Sequence, residues 1–186
     1  MAKTFRLLPL LSLWLFWACS QPSENILEKG PSYFPMKEYF EVEAGKIQGI
    51  KLAKEVTING EKEYFEQTLD GEGWIKEFDF FIQADINKPN LATAYNTQRS
   101  AEYLIHELKD GEKGKVKKIV VRYQGDIIRS ISFHTKTENI FYSSEIRGTI
   151  FNSTEGRFDH YTIESFQEIP YMKPNKMIVQ GALKPI

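Results

Sequence analysis

The residues able to do chemistry in this 186-residue chain are three histidines, 25 carboxylates, one cysteine and scattered hydroxyls. A zinc site needs three or four converging ligands, and none of His106, His134 and His160 has a second histidine at ligand spacing. Each falls in a predicted strand, which reads as a surface or edge-strand position. His134 and His160 approach one another only if their strands pair. Asp85 and Asn87, in Ala84-Asp-Ile-Asn-Lys-Pro89, mark a polar helix end, where such side chains ordinarily bond the local backbone. Asp70-Gly-Glu-Gly73 lacks the calcium-loop spacing and reads as a polar turn. Ser130, Ser132, Ser143, Ser144, Ser153 and Thr154 supply hydroxyls without the G-x-S-x-G elbow or a paired base. No glycine-rich loop leads into a helix at phosphate-cradling spacing. The patterns point away from a hydrolase or a metal enzyme, and they imply no cofactor. Asn152-Ser-Thr154 fits the glycosylation sequon and reads as incidental.

The cysteine is the residue with a position that matters. A single Cys19 excludes an intramolecular disulfide and any multi-cysteine metal site. It directly follows a segment with Lys3 and Arg6 in a short positive region and an apolar run from Leu7 to Trp17. That run is too short to span about 30 Å of hydrocarbon and has the build of a secretory signal. Phe16-Trp-Ala-Cys19-Ser20 resembles a bacterial lipobox: Ala18 fills the small position, although Phe16 and Trp17 are bulkier than usual there. The expectation is a signal peptide over residues 1–18, lipidation at Cys19, and membrane attachment through acyl chains that each contribute about 0.8 kcal/mol per buried CH₂. Ser20, rather than Asp, after the cysteine suggests the outer membrane. Residues 19–31, rich in polar groups with Pro22, Gly30 and Pro31, read as the lipidated N-terminus and tether.

Residues 32–186 are long enough for one domain with its own core. The whole chain carries 24 basic and 25 acidic residues, and removing the signal leaves a mildly acidic protein. A nucleic-acid binder usually shows a basic excess, so no nucleic-acid partner is expected.

The elements that must position these residues follow from the hydrophobic pattern. Ser32 can cap a helix from Tyr33, with Met36, Phe40, Ala44 and Ile47 on one face. Asn59-Gly60 is a type I′ hairpin signal between strands over residues 55–58 and 61–69. Trp74, Phe78, Phe81, Ile82 and Asp85 recur at helical spacing and predict one amphipathic helix, ended by Asn87-Lys-Pro89. Strands are predicted over residues 94–96, 102–109, 115–124, 127–134, 140–151, 157–168 and 176–183, separated by short turn clusters. The expected fold class is α+β: a curved antiparallel sheet of about seven or eight strands in a meander, with two helices packed on one face.

Aromatic residues are abundant, with 13 Phe and nine Tyr. Most fit predicted core faces. Tyr123, Phe133, Tyr142, Tyr161 and Phe166 could instead line the concave side of the sheet as an apolar ligand groove.

Several segments also carry a resemblance. Tyr33-Phe34 opening a helix, Thr57-Ile-Asn-Gly-Glu-Lys-Glu63, and Trp74 through Phe81-Ile-Gln-Ala-Asp-Ile-Asn-Lys-Pro89 are similar to a group of uncharacterised cell-envelope lipoproteins of Bacteroidota. So are the strand pair over residues 118–133 and Phe141-Tyr-Ser-Ser144. The resemblance implies a lipid anchor and an envelope location. It implies no catalysis and carries no site residues across. The expected function is therefore a non-enzymatic, lipid-anchored envelope protein that binds a protein partner or contributes to envelope assembly. The alternative is a carrier or sensor of a hydrophobic ligand in a half-barrel groove.

Overall fold

The computed structural model describes residues 33–184. Cys19, the predicted signal and the predicted tether lie outside them. Three helices, α1 (Met36–Ile47), α2 (Gly71–Glu77) and α3 (Asp79–Gln83), accompany nine strands. These are β1 (Lys51–Ile58), β2 (Glu61–Thr68), β3 (Tyr95–Arg99), β4 (Tyr103–Leu108), β5 (Val116–Gln124), β6 (Ile127–Glu138), β7 (Ser143–Asn152), β8 (Phe158–Glu168) and β9 (Asn175–Leu183). All pairings are antiparallel, in the order β2-β1-β9-β8-β7-β6-β5-β4-β3. The α+β class and the meander are those expected. The strand count is nine, and the sheet is open and uncurled.

Strands β3 to β9 are neighbours in sequence order, joined by short turns. The Asn59-Gly60 hairpin is present, and both residues have the positive φ its turn demands (51° and 97°). The hairpin docks on β9, so the first and last strands pair, with Val56 opposite Val179. The helical segment after β2 then carries the chain from one sheet edge to the other. Both edges are strongly polar, with Glu61, Lys62, Glu63 and Glu66 on β2 and Asn96, Gln98 and Arg99 on β3. Such edges discourage pairing with another chain.

One face of the sheet is apolar and lies under the helices. Its central row runs through Leu104, Val121, Ile131, Ile150 and Tyr161, each opposite the next across neighbouring strands. Trp74, Phe78 and Phe81 from the helices meet Phe40 of α1 and Phe158 and Phe133 of the sheet at ring separations of 4.9–5.9 Å. Edge-on and offset rings of this kind add packing energy beyond the area they bury.

The predicted single helix from Trp74 is two short ones. Asp70 caps α2 by accepting from Gly73 N at 2.7 Å, so the Asp-Gly-Glu-Gly stretch starts a helix as well as breaking the chain. At Phe78 the backbone leaves helical geometry (φ −85°, ψ 6°). Its ring is fully buried against Phe40, Trp74 and Phe158, and that packing outweighs local helix propensity. The first helix begins at Met36, because Tyr33 and Phe34 are buried in an irregular segment tied to β3 and β4.

Candidate functional site

The five aromatics expected to line a groove do not share one surface. Phe133 and Tyr161 are buried beneath the helices, and Tyr123 packs half-buried against the same core. Tyr142 is exposed in the β6–β7 connection, and Phe166 is exposed on the helix-free face of β8. The cleft between α3 and the sheet, at Phe80, Gln83, Ala84, Phe133, Thr135 and Ile146, holds about 30 Å³. That is far below the roughly 300–1,000 Å³ of a ligand pocket.

The polar pattern at residues 85–87 is structural. Asp85 Oδ2 accepts from Lys37 N at 2.9 Å and so satisfies the first turn of α1 from 48 residues away. Its Oδ1 accepts from Asn87 N at 2.6 Å. Asn87 clamps the entering chain, accepting from Tyr33 N at 3.0 Å and donating to Phe34 O at 3.1 Å.

The histidines separate in character. His134 and His160 lie on β6 and β8, with β7 between them, so their strands do not pair. His106 departs from the surface expectation: it is 1% exposed. Its Nε2 accepts from Phe34 N at 3.0 Å, which places the ring proton on Nδ1, 2.9 Å from Thr97 Oγ1. Burial, with a smaller contribution from Arg99, lowers its pKa from 6.5 to about 4. It is a neutral core residue at pH 7. Among the described residues no group of three or more His, Cys, Asp or Glu could hold a metal ion.

The helix-free face carries a groove of about 890 Å³, within the range of about 300–1,000 Å³ common for ligand sites. It lies at the end of the sheet where β5 turns into β6 and β7 into β8. Tyr103, Arg122, Arg129, Phe151, Asp159 and His160 are among its lining residues.

Two bulges build this groove. Arg122 pairs with Ser130 and Tyr123 with Ile128, leaving Arg129 as the extra residue of β6. Phe151 pairs with His160 and Asn152 with Phe158, leaving Asp159 as the extra residue of β8. A bulge re-aims a side chain that regular alternation would place elsewhere, and both extra residues line the groove.

Around them the polar atoms are mostly engaged. His160 stacks on Phe151 at 4.6 Å, and its Nδ1 lies 3.0 Å from Asp159 Oδ2. Ser153 Oγ accepts from the backbone N–H groups of Glu155 and Arg157 and shapes the β7–β8 turn. The Asn152 side chain is buried and donates to Tyr39 Oη and Ile128 O at 2.8 and 2.9 Å, so the sequon asparagine is not presented for modification. Arg122 covers the Tyr103 ring at 5.4 Å. Two polar atoms of the lining differ: Arg129 Nη1 and Asn152 Oδ1 are buried and have no hydrogen-bond partner among the described residues. A buried guanidinium nitrogen left unpaired is costly, and an acceptor oxygen that reached it would satisfy it.

Of the five aromatics named from the sequence, Tyr123 alone lines this groove; its bulged residues Arg129 and Asp159 went unread, although the signal was present. Ile127-Ile128-Arg129 and Phe158-Asp159-His160-Tyr161 both break the one-in, one-out alternation of a strand.

Comparison with protein-family models, with curated proteins and with solved structures found no match to this chain.

Proposed function

We propose that this chain is a lipid-anchored protein of the cell envelope, held at the outer membrane through Cys19, and that it acts by binding rather than by catalysis. The binding surface is the groove on the helix-free face, and the partner is an envelope protein that presents a carboxylate to Arg129 beside Arg122. The carrying observation is the unpaired, buried Nη1 of Arg129 in a groove that two bulges shape. Tyr and Arg around a partly desolvated pocket are also the residue types that dominate binding energy at protein interfaces. The resemblance to Bacteroidota envelope lipoproteins agrees with this reading.

Two experiments test it. Palmitate labelling of cells should mark the wild-type protein and miss Cys19→Ala; equal labelling removes the anchor. A photo-crosslinker at Phe151, in native membranes, should give a defined adduct that Arg129→Glu abolishes. A crosslinker at Glu41 on α1 should give none. An adduct unaffected by Arg129→Glu removes the groove as the binding site.

A further inference from the structure

The other end of the sheet carries an unexpected amount of exposed apolar surface. Ile140, Phe141 and Tyr142 form the β6–β7 connection and are 84%, 72% and 36% exposed. Ile169, Tyr171 and Met172 in the β8–β9 connection are 38%, 109% and 64% exposed. Strands β7 and β8 pair, with Ser143 opposite Glu168, so the two tips stand side by side.

Local bonds hold these tips in shape. Asn139 Oδ1 accepts from Phe141 N and Tyr142 N at 2.8 and 3.0 Å, and Asn139 N donates to Tyr142 O at 3.0 Å. Met172 N donates to Ile169 O at 3.0 Å. Tyr171 sits at φ 66°, a conformation bulky residues seldom adopt, and its ring stands clear of the fold. Large apolar side chains held out on shaped tips lose little further freedom when they enter an apolar phase.

The chain enters the fold at this same end. Tyr33, the first described residue, donates through its hydroxyl to Ala92 O at 2.8 Å. Ala92 lies just before β3, whose first residue Tyr95 pairs with Leu108 at the end of β4. That is the same end of the sheet as the two tips. The segment between Cys19 and Tyr33 could span at most about 50 Å at full extension. A lipid on Cys19 would tether the domain through Tyr33, at the end that exposes Phe141 and Tyr171. Around the tips and the neighbouring β4–β5 connection the charges are mixed: Lys109, Lys113, Lys115, Lys173 and Lys176 stand with Asp110, Glu112, Glu138 and Glu168. Aromatic and aliphatic side chains with lysines behind them suit the headgroup boundary of a bilayer.

We propose that the β6–β7 and β8–β9 tips insert into the interface of the bilayer that carries the lipid anchor. The domain then stands on the membrane with its Arg129 groove directed away from it. The proposal rests on the anchor reading for its choice of occupant.

The test uses the lipidated chain from Cys19, whose one native tryptophan is the buried Trp74, in vesicles of phosphatidylethanolamine and phosphatidylglycerol with brominated acyl chains. Tryptophan reporters are placed by Tyr171→Trp and Phe141→Trp, with Tyr64→Trp on β2 as the control. All three positions are exposed, so each variant should keep the wild-type melting temperature. Quenching several-fold stronger at 171 and 141 than at 64 is expected. A chain that floats with the vesicles but shows equal or no quenching overturns tip insertion and leaves the anchor standing. A chain that is quenched but takes no palmitate overturns the anchor and leaves the tips standing. A blue-shifted reporter at 171 without lipid, together with a dimer in sedimentation velocity, overturns the proposal in favour of a second copy of the chain.

Discussion

The Tyr161 ring lies directly over Gly181, its cross-strand partner on β9, and a methyl group built at position 181 would overlap the ring. The same relationship recurs two strands away, where Phe133 covers Gly148 on β7. In both pairs the glycine lets a large ring lie flat on the sheet, under the helices that pack on it. Gly181→Ala and Gly148→Ala should each destabilise the protein by about 1–3 kcal/mol, as overpacking of a filled core does. Urea denaturation measures this; an unchanged midpoint for both would mean the rings have room to move.

Tyr161 also closes a polar link between the layers. Its hydroxyl donates to Glu77 Oε1, the same oxygen that lies 2.7 Å from Lys54 Nζ. Burial first, and Glu77 second, push the phenol pKa well above its usual value. Glu77→Ala should cost about 1–3 kcal/mol, because it strands a buried hydroxyl and a largely buried ammonium. Tyr161→Phe, which leaves the Glu77–Lys54 pair intact, should cost less. Thermal melts of the two variants compare them.

The buried imidazole of His106 makes stability depend on pH. Its pKa is about 4 in the folded protein and 6.5 when unfolded, so the unfolded chain binds the proton more readily. Stability is therefore undiminished above pH 6.5 and falls as pH drops toward 4, by about 3 kcal/mol in total. His106→Gln keeps an acceptor for Phe34 N–H and should flatten that part of the curve. A wild-type minus variant difference that stays constant from pH 7 to pH 4 would contradict the assignment. NMR titration of the ring gives the folded pKa directly.

Arg129→Met should leave stability unchanged or raise it slightly, since it removes a buried nitrogen without a partner. The same change should abolish crosslinking from Phe151. A site kept for binding at some cost to stability behaves this way. Clear destabilisation by Arg129→Met would make the residue structural.

Trp74→Ala should be the most damaging single truncation in the helices. The ring is fully buried between Phe78 and Phe158, and loss of such a side chain costs about 3–5 kcal/mol. A melting temperature within a degree or so of wild type would show that α2 is not a core element.

Much of the fold was legible from local pattern. Asn59-Gly60 specified its hairpin because its turn needs positive φ at both residues. Alternation in Lys115–Gln124 identified β5, and the aromatic spacing from Trp74 identified the helix face that packs on the sheet. Alternation also marks which side chains share a face, since successive residues point to opposite sides.

Other features came only from long-range contacts. Whether the β1–β2 hairpin joins β3 or β9 is a choice between distant partners, and no local pattern encodes it. The break of the second helix at Phe78 follows from rings supplied by α1 and β8. His106 resembles any strand histidine until Phe34 N–H and Thr97 arrive from elsewhere in the chain. Arg129 and Asp159 acquire meaning only when two bulges on separate strands meet at one end of the sheet. The sequence by itself determined the strands, the turns and the apolar helix faces, because turn chemistry and hydrophobic period act over a few residues. Tertiary structure decided the groove and the apolar tips, because each is assembled from strands that become neighbours only when the sheet forms.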